Sequence, residues 1–379
     1  MRRRDCLKQI GLGALAAAAT SSCERKAAET PLPANEQTFN WRMVTSWPPN
    51  FPSFGSSAIH LAETIARNSA GRIKIQVYAA GELVPAFEVL DAVSRGTAQM
   101  GHSGPIYWRG KLNAAQFFSG IPFGMNALQF NAWMYHGGGL ELWRKVYAPF
   151  NVIPFLAGNT GAQMAGWFNK EINSTKDLEG LRMRIPGLGG EVFKRAGGVA
   201  VNLPGSELFT SLATGVIDAT EWVGPYNDMA LGLHKAAKYY YYPGWHESAG
   251  TMECLINKSE FEALPIDLQS IITTACQAEN DLTLTEIAAN NRTALETLVD
   301  VHGVELRRLP DEVLEELRKL AGETLEEVAD IDAASREVYD AYRLFQEEIA
   351  RAQALSESFH VNHLLAVAAR SPHTGPGRH

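Results

Sequence analysis

The chain has 379 residues, of which 46% are hydrophobic and 20% charged, and carries a formal net charge of −8 at pH 7. Such a length and composition describe a globular protein with room for two domains. Acidic and basic residues are mixed along the chain rather than blocked, which argues against the basic footprint of a nucleic-acid-binding protein.

The amino terminus, MRRRDCLKQIGLGALAAAATSSC, has a basic start, an apolar Gly/Ala-rich run and small polar residues before a cysteine. This is the layout of an export signal over residues 1–23. The run from Ile10 to Ala19 is too short to remain as a membrane span. Arg3-Arg4-Asp5-Cys6 resembles a twin-arginine motif, with Cys6 where an aromatic residue is usual. Ser21-Ser22-Cys23 resembles a lipoprotein cleavage box, with Thr20 in the usual aliphatic place. Lipidation of Cys23 and an unmodified thiol are both open readings. Residues 24–37, polar and with two prolines, are expected to be a flexible tether. No later segment is long and apolar enough to cross a membrane, and the mature protein is expected to be soluble outside the cytoplasm.

From Thr38 onward short apolar strands alternate with amphipathic helices, the α/β pattern. FNWRMVTSW predicts a strand and the Pro-rich PPNFPSFG a loop. Residues 56–68 place Ile59, Ala62, Ile65 and Ala66 on one helical face, ended by Gly71. RIKIQVYAA alternates as a second strand. A helix over 86–95, Gly96 and the strand AQMGHSG follow. That last unit has an echo in LFTSLATGVIDATEWVG, Leu208 to Gly224. Each reads as a helix, a glycine able to take the left-handed C-cap conformation, and a short strand ending in polar residues. Ligands of open α/β sheets bind beyond the carboxyl ends of strands, where His102, Ser103 and Tyr107 stand in one unit and Glu221 and Trp222 in the other.

Between these units, FLAGNTGAQMAGWFNKEI predicts strand, turn and strand, with Asn159 and Gln163 in the turn. In LEGLRMRIPG, Arg182 and Arg184 share one side of a strand. A solvated surface pair is the ordinary reading of such arginines. Arg184, however, runs into Pro186 and a Gly-rich turn, where a guanidinium can take a carboxylate bidentately. IPGLGGEVFKRAGG lacks the third glycine of a dinucleotide fingerprint and the Lys-Ser/Thr of a phosphate loop. It reads as a helix N-terminus whose free amides face the ligand side. The tyrosines of KYYYYPGWHE read as wall and core. Glu247, in a turn beside small residues, is either a loop charge in water or a carboxylate brought to a cleft. His246 and Glu247 form no zinc motif, and no nucleophile elbow or cysteine–base pair is present. Cys254 and Cys276 lack metal-type spacing and read as either a pair or two buried thiols. The last third predicts helices over 267–301, 311–328 and 333–354, with HGVELRRLP a short strand between the first two. Residues 361–379 are expected to be a disordered tail.

Four ordered blocks, GNTGAQMAGWF, LEGLRMRIPG, DATEWVGPYND and YYYYPGWHE, together resemble the extracytoplasmic solute-binding proteins of TRAP (tripartite ATP-independent periplasmic) transporters, of the DctP type. Within that family they resemble the branch that binds 2-oxo acids and lactate, over residues 40 to 350. The resemblance implies an α/β bilobal periplasmic-binding-protein fold, with two mixed-sheet lobes joined by hinge strands and extra C-terminal helices. Lobe 1 would span 38–161 plus 250–304. Lobe 2 would span 162–249 plus 305–360, including helices for packing or dimerisation. It also implies that the protein works in the periplasm, that Arg184 pairs with the substrate carboxylate, and that sodium or calcium is held by Gln163, Glu221, the Trp222 carbonyl and Glu247. Tyr107 is implied to contact the ligand, with Trp108 competing for that role.

The chemistry agrees with this set. Glu221 and Glu247 would repel a substrate carboxylate in a cleft of low effective dielectric, and a bound cation reverses that sign. Oxygen donors suit such hard cations. Trp222, Phe168 and the tyrosines would then bound the substrate's tail, and the lobes would close over it by a hinge. The implied partners are a small monocarboxylate such as pyruvate or lactate, the membrane permease subunits and a second copy of the chain. No enzyme activity is expected. A ligand sensor for a receptor is one alternative, and a secreted enzyme using Glu221 or Glu247 as general base is another.

Overall fold

The computed structural model describes residues 37–370, with side chains up to 354. The expected export signal, nearly all of the tether and residues 371–379 lie outside the described residues.

In chain order the elements are β1 (Phe39–Thr45), α1 (Gly55–Asn68), β2 (Ile73–Tyr78), α2 (Val89–Ser94), β3 (Met100–Ser103), α3 (Ala127–His136), α4 (Gly139–Tyr147), β4 (Val152–Asn159), β5 (Gly166–Phe168) and β6 (Arg182–Arg184). They continue with α5 (Gly187–Arg195), β7 (Val199–Val201), α6 (Gly205–Ala213), β8 (Ala219–Thr220), α7 (Pro225–Ala230), β9 (Tyr239–Tyr242), β10 (Thr251–Asn257), α8 (Lys258–Glu262), α9 (Ile266–Glu296), β11 (Glu305–Arg308), α10 (Asp311–Ala329) and α11 (Ala333–Arg370). One sheet has the order β2-β1-β3-β10-β4 and the other β11-β9-β5-β8-β6-β7. Both are mixed. β10 runs antiparallel to β3 and β4, and β5 antiparallel to β8 and β9.

The helix, glycine and strand repeat sits at corresponding places in the two sheets. α2 ends at Gly96 (φ 74°) before β3, and α6 ends at Gly215 (φ 73°) before β8. Both glycines take the left-handed conformation that a Cβ disfavours. The buried stripe of α1 is Ala58, Leu61, Ala62 and Ile65, so Ile59, expected inside, lies on the outer side. The i, i+3, i+4, i+7 spacing from Ala58 fits the sheet better than the one from Ile59. Helix α11 continues past the expected end at Ala354, so residues 361–370 are helical rather than disordered. No proline or glycine interrupts the run from Ala333 to Arg370, and the first breaker is Pro372. Among the described residues no helix is long and apolar enough to cross a membrane.

Both faces of the first sheet are covered, and every residue of β10 is buried, the polar Thr251, Glu253 and Asn257 included. Cys254 and Cys276 lie in one of these apolar clusters as free thiols. Glu253 is the one charged residue of β10. It is fully buried and accepts hydrogen bonds from the Trp108 indole and, at 2.9 Å, from the Tyr147 hydroxyl. Burial pushes its carboxyl up to about 8, with the two donors pulling the other way. Between the ordinary carboxylate range and that value the folded chain binds the extra proton, so Glu253 makes stability fall as pH rises. Glu253→Gln is therefore expected to lose less of its thermal midpoint between pH 5 and pH 8 than the unsubstituted protein does. Calorimetric scans at both pH values measure this, and equal losses would contradict it.

Candidate functional site

The parallel strands β1, β3 and β4 of the first sheet, and β6, β8 and β9 of the second, end beside one small cavity of about 40 Å³. Residues just beyond these strand ends line it: Trp47 after β1, Tyr107 after β3, Thr160 after β4, Arg184 closing β6, Glu221 and Trp222 after β8, and Glu247 after β9. The antiparallel strands contribute from their starts, through Gln163 before β5 and Thr251 in β10. A larger depression of about 550 Å³ lined by Arg144, Lys258 and Thr273 contains none of these residues.

Arg184 is 2% exposed. Its Nη1 donates to the Glu221 carboxylate and, at 3.3 Å, to the Glu221 carbonyl, while Nε donates to the Leu203 carbonyl at 3.1 Å. Its guanidinium lies 5.2 Å from the Trp222 ring centroid, a cation–π arrangement. Glu247, also buried, accepts from Gln163 Nε2 at 2.6 Å. Burial first, and then the charge of Glu221, pushes the Glu247 carboxyl up to about 8 against the pull of Arg184 and Gln163. Burial likewise raises the Tyr107 phenol, which has Arg184, Glu221 and Glu247 within electrostatic reach. The pocket thus holds two acids against one arginine, a charge set that burial makes costly.

Gly250 shapes the same corner. A Cβ there would lie 2.7 Å from Gln163 Nε2, from Glu247 Oε2 and from Thr160 Oγ1. Three polar atoms converge on a place that only a glycine leaves open. Gly250→Ala is expected to cost about 1–3 kcal/mol by overpacking. Denaturant titration measures it, and unchanged stability would show that the corner yields.

The six residues that the resemblance assigns to the site, Tyr107, Gln163, Arg184, Glu221, Trp222 and Glu247, line this one cavity, whereas His102, Ser103 and Asn159, also singled out at strand ends and turns, do not. The pair Arg182 and Arg184 divides: Arg182 is exposed and engages Asp218, with its Nε 3.0 Å from Asp218 Oδ2. Phe168 and the tyrosine run do not border the cavity, contrary to expectation. Phe168 packs edge-on to Tyr241 in the core, and Tyr240 stacks on Trp167 at 4.0 Å. The aromatic walls are instead Trp47, Phe54 and Trp222, with Phe54 5.6 Å from Trp222. Trp47 follows the end of the first strand by two residues, and the strand-end rule could have singled it out. Phe54 sits in the loop that follows and carries no such signal. His102 stands behind the wall, its Nδ1 accepting from the Trp47 indole at 2.7 Å. Burial lowers His102 to about 4, and its other nitrogen faces the Ala157 carbonyl at 3.2 Å, so it holds Trp47 as a neutral ring. Trp108 points away, to Glu253, which leaves Tyr107 as the aromatic residue of its turn that reaches the cavity.

Two mixed sheets whose strand ends share a small polar cavity define a bilobal solute-binding protein. Residues 43–331 match the model of the bacterial extracellular solute-binding proteins, family 7 (DctP), and the chain belongs to that family. It is 44% identical over 349 residues, covering 92% of this chain and 95% of the relative, to the monocarboxylate 2-oxoacid-binding periplasmic protein of Nostoc sp.. Among solved structures it is similar to a TRAP transporter solute-binding protein from Bordetella bronchiseptica, at 37% identity and a TM-score of 0.86, covering 88% of this chain and 99% of that one. That protein is described as a mixed-occupancy dimer with calcium and picolinate in one active site. A relative from Pseudoalteromonas atlantica holds sodium and pyruvate (37% identity, TM-score 0.84, 86% and 99% covered). One from Colwellia psychrerythraea holds calcium and pyruvate (38% identity, TM-score 0.84, 86% and 100% covered).

Proposed function

We propose that the cavity captures a small 2-oxo or 2-hydroxy monocarboxylate together with a hard cation, sodium or calcium, and that the protein delivers this solute to the permease of a TRAP transporter. The observation that carries the proposal is the meeting of one buried arginine with two buried carboxylates in a cavity of about 40 Å³. Arg184 supplies the planar donor for the substrate carboxylate. Gln163, Glu221, the Trp222 carbonyl and Glu247 supply the oxygens for the cation. The residues fit such an ion, because the donor set is oxygen-only and carries two negative charges with only Arg184 opposing them. When bound, the cation would compensate the charge of the carboxylates and ligate oxygens of the substrate. Tyr107 and Trp222 border the carboxylate end and Trp47 and Phe54 wall the remainder, which together exclude water.

In this reading the protein binds without turnover. Lobe 1, residues 38–161 plus 250–304, and lobe 2, residues 162–249 plus 305–360, close by hinging where the chain crosses near Gly161 and Gly250. Export by the leader places the protein in the periplasm, where a lipid on Cys23 would tether it, and a pair of chains is the expected assembly. Calorimetry of chelator-treated protein with pyruvate, lactate and longer 2-oxo acids, each with and without sodium or calcium, tests the proposal. Cation-dependent binding is the expected result, and absence of binding by every monocarboxylate would overturn it.

A further inference from the structure

His246 has no role in the site as described so far, and its surroundings fix what it can do. It is 2% exposed, with Nε2 3.2 Å from Gln163 Oε1 and 3.4 Å from Glu221 Oε2. Its Nδ1 is buried and has no partner among the described residues. The polarity of the network can be read outward from the backbone. Thr160 Oγ1 donates its hydrogen to the Gly161 carbonyl at 2.9 Å. That hydroxyl can therefore only accept from its other two neighbours, the Gly250 amide at 3.0 Å and Gln163 Nε2 at 3.2 Å. Gln163 Nε2 spends its second hydrogen on Glu247 Oε2 at 2.6 Å. The amide oxygen of Gln163 must then face His246, and the imidazole must carry a proton on Nε2. A proton on Nδ1 instead would leave a buried donor unpaired and turn two lone pairs toward each other.

We infer that His246 is a positioning residue for the cation site: its Nε2–H holds Gln163 Oε1 in the arrangement in which that oxygen can serve as a ligand, with Glu221 Oε2 beside the ring at 3.4 Å. The inference rests on the cation reading given above. Groups that orient ligand side chains in this way are worth roughly 10- to 100-fold in metal affinity when removed.

Three measurements test it. His246→Leu keeps the bulk and removes the donor, and is expected to weaken calcium binding by about tenfold or more. His246→Gln returns an N–H to the place of Nε2 and is expected to stay within about threefold of the unsubstituted protein. Nitrogen-15 spectra of the imidazole, taken without added cation, are expected to show the Nε2–H tautomer. Calcium binding by His246→Leu equal to that of the original protein would overturn the inference. So would a folded His246→Gln as weak as His246→Leu, or a ring protonated on Nδ1 alone. Should His246→Leu fail to fold, His246→Gln and the spectra still decide. If the unsubstituted protein binds neither calcium nor sodium, the cation reading fails by itself, whereas the tautomer separately reports the contact to Gln163.

Discussion

Arg184→Ala is expected to lower affinity for pyruvate by about 100-fold or more while the chain still folds. Truncating one partner of a buried, hydrogen-bonded charge pair between protein and ligand costs roughly 2–5 kcal/mol of binding, and about 1.4 kcal/mol corresponds to tenfold. The guanidinium is the charge that opposes both acids, so its loss leaves Glu221 and Glu247 facing any incoming carboxylate. Arg184→Lys separates charge from shape. It restores the positive charge but not the planar fork that reaches the Glu221 side chain and the Leu203 carbonyl together. Its affinity should fall between the two. Calorimetry with pyruvate at saturating calcium measures all three proteins, and circular dichroism establishes that the variants are folded. Binding by a folded Arg184→Ala as tight as the original would remove the arginine from the site.

The repeat of helix, glycine and strand was legible because it is local. A glycine at the C-cap and a short apolar strand are set by neighbouring residues, and both Gly96 and Gly215 adopt the expected conformation. The rule that ligands gather at carboxyl strand ends picks out Tyr107, Glu221 and Trp222, which line the cavity, together with His102 and Ser103, which do not. Arg184 and Glu247 were ambiguous in the residues alone, because their burial depends on strands far away in sequence. The resemblance to a family, not periodicity, joined them to Gln163. What stayed hidden was orientation. Phe168 and the tyrosines of β9 alternate across a sheet covered on both faces, so sequence could not say which face borders the cavity. Phe54 and His246 contribute through contacts across long sequence separations, and such contacts leave no spacing to read. Gly250 is the extreme case, since it acts by what it lacks.

The double variant Glu221→Gln, Glu247→Gln is expected to bind pyruvate with nearly the same affinity whether or not calcium is present. Each exchange keeps the size of the side chain and an acceptor oxygen while removing a carboxyl group; that of Glu247, pushed up to about 8, carries its negative charge above that pH. Two unit charges about 4–6 Å apart at an effective dielectric near 20 repel by roughly 3–4 kcal/mol, which is of the order of 100-fold or more in affinity. That repulsion is what a bound cation would offset, so removing both acids removes the need for it. Titrations of pyruvate into chelator-treated protein at pH 9, where Glu247 is charged, with and without calcium, give the ratio directly. A double variant in which calcium still tightens pyruvate binding tenfold would place the ion elsewhere. The single variants differ in sign because the two acids have different partners. Glu221 occupies Arg184, so Glu221→Gln releases the guanidinium and should raise cation-free affinity for pyruvate. Glu247 is bonded to Gln163 instead, so Glu247→Gln should weaken calcium binding and leave Arg184 engaged with Glu221.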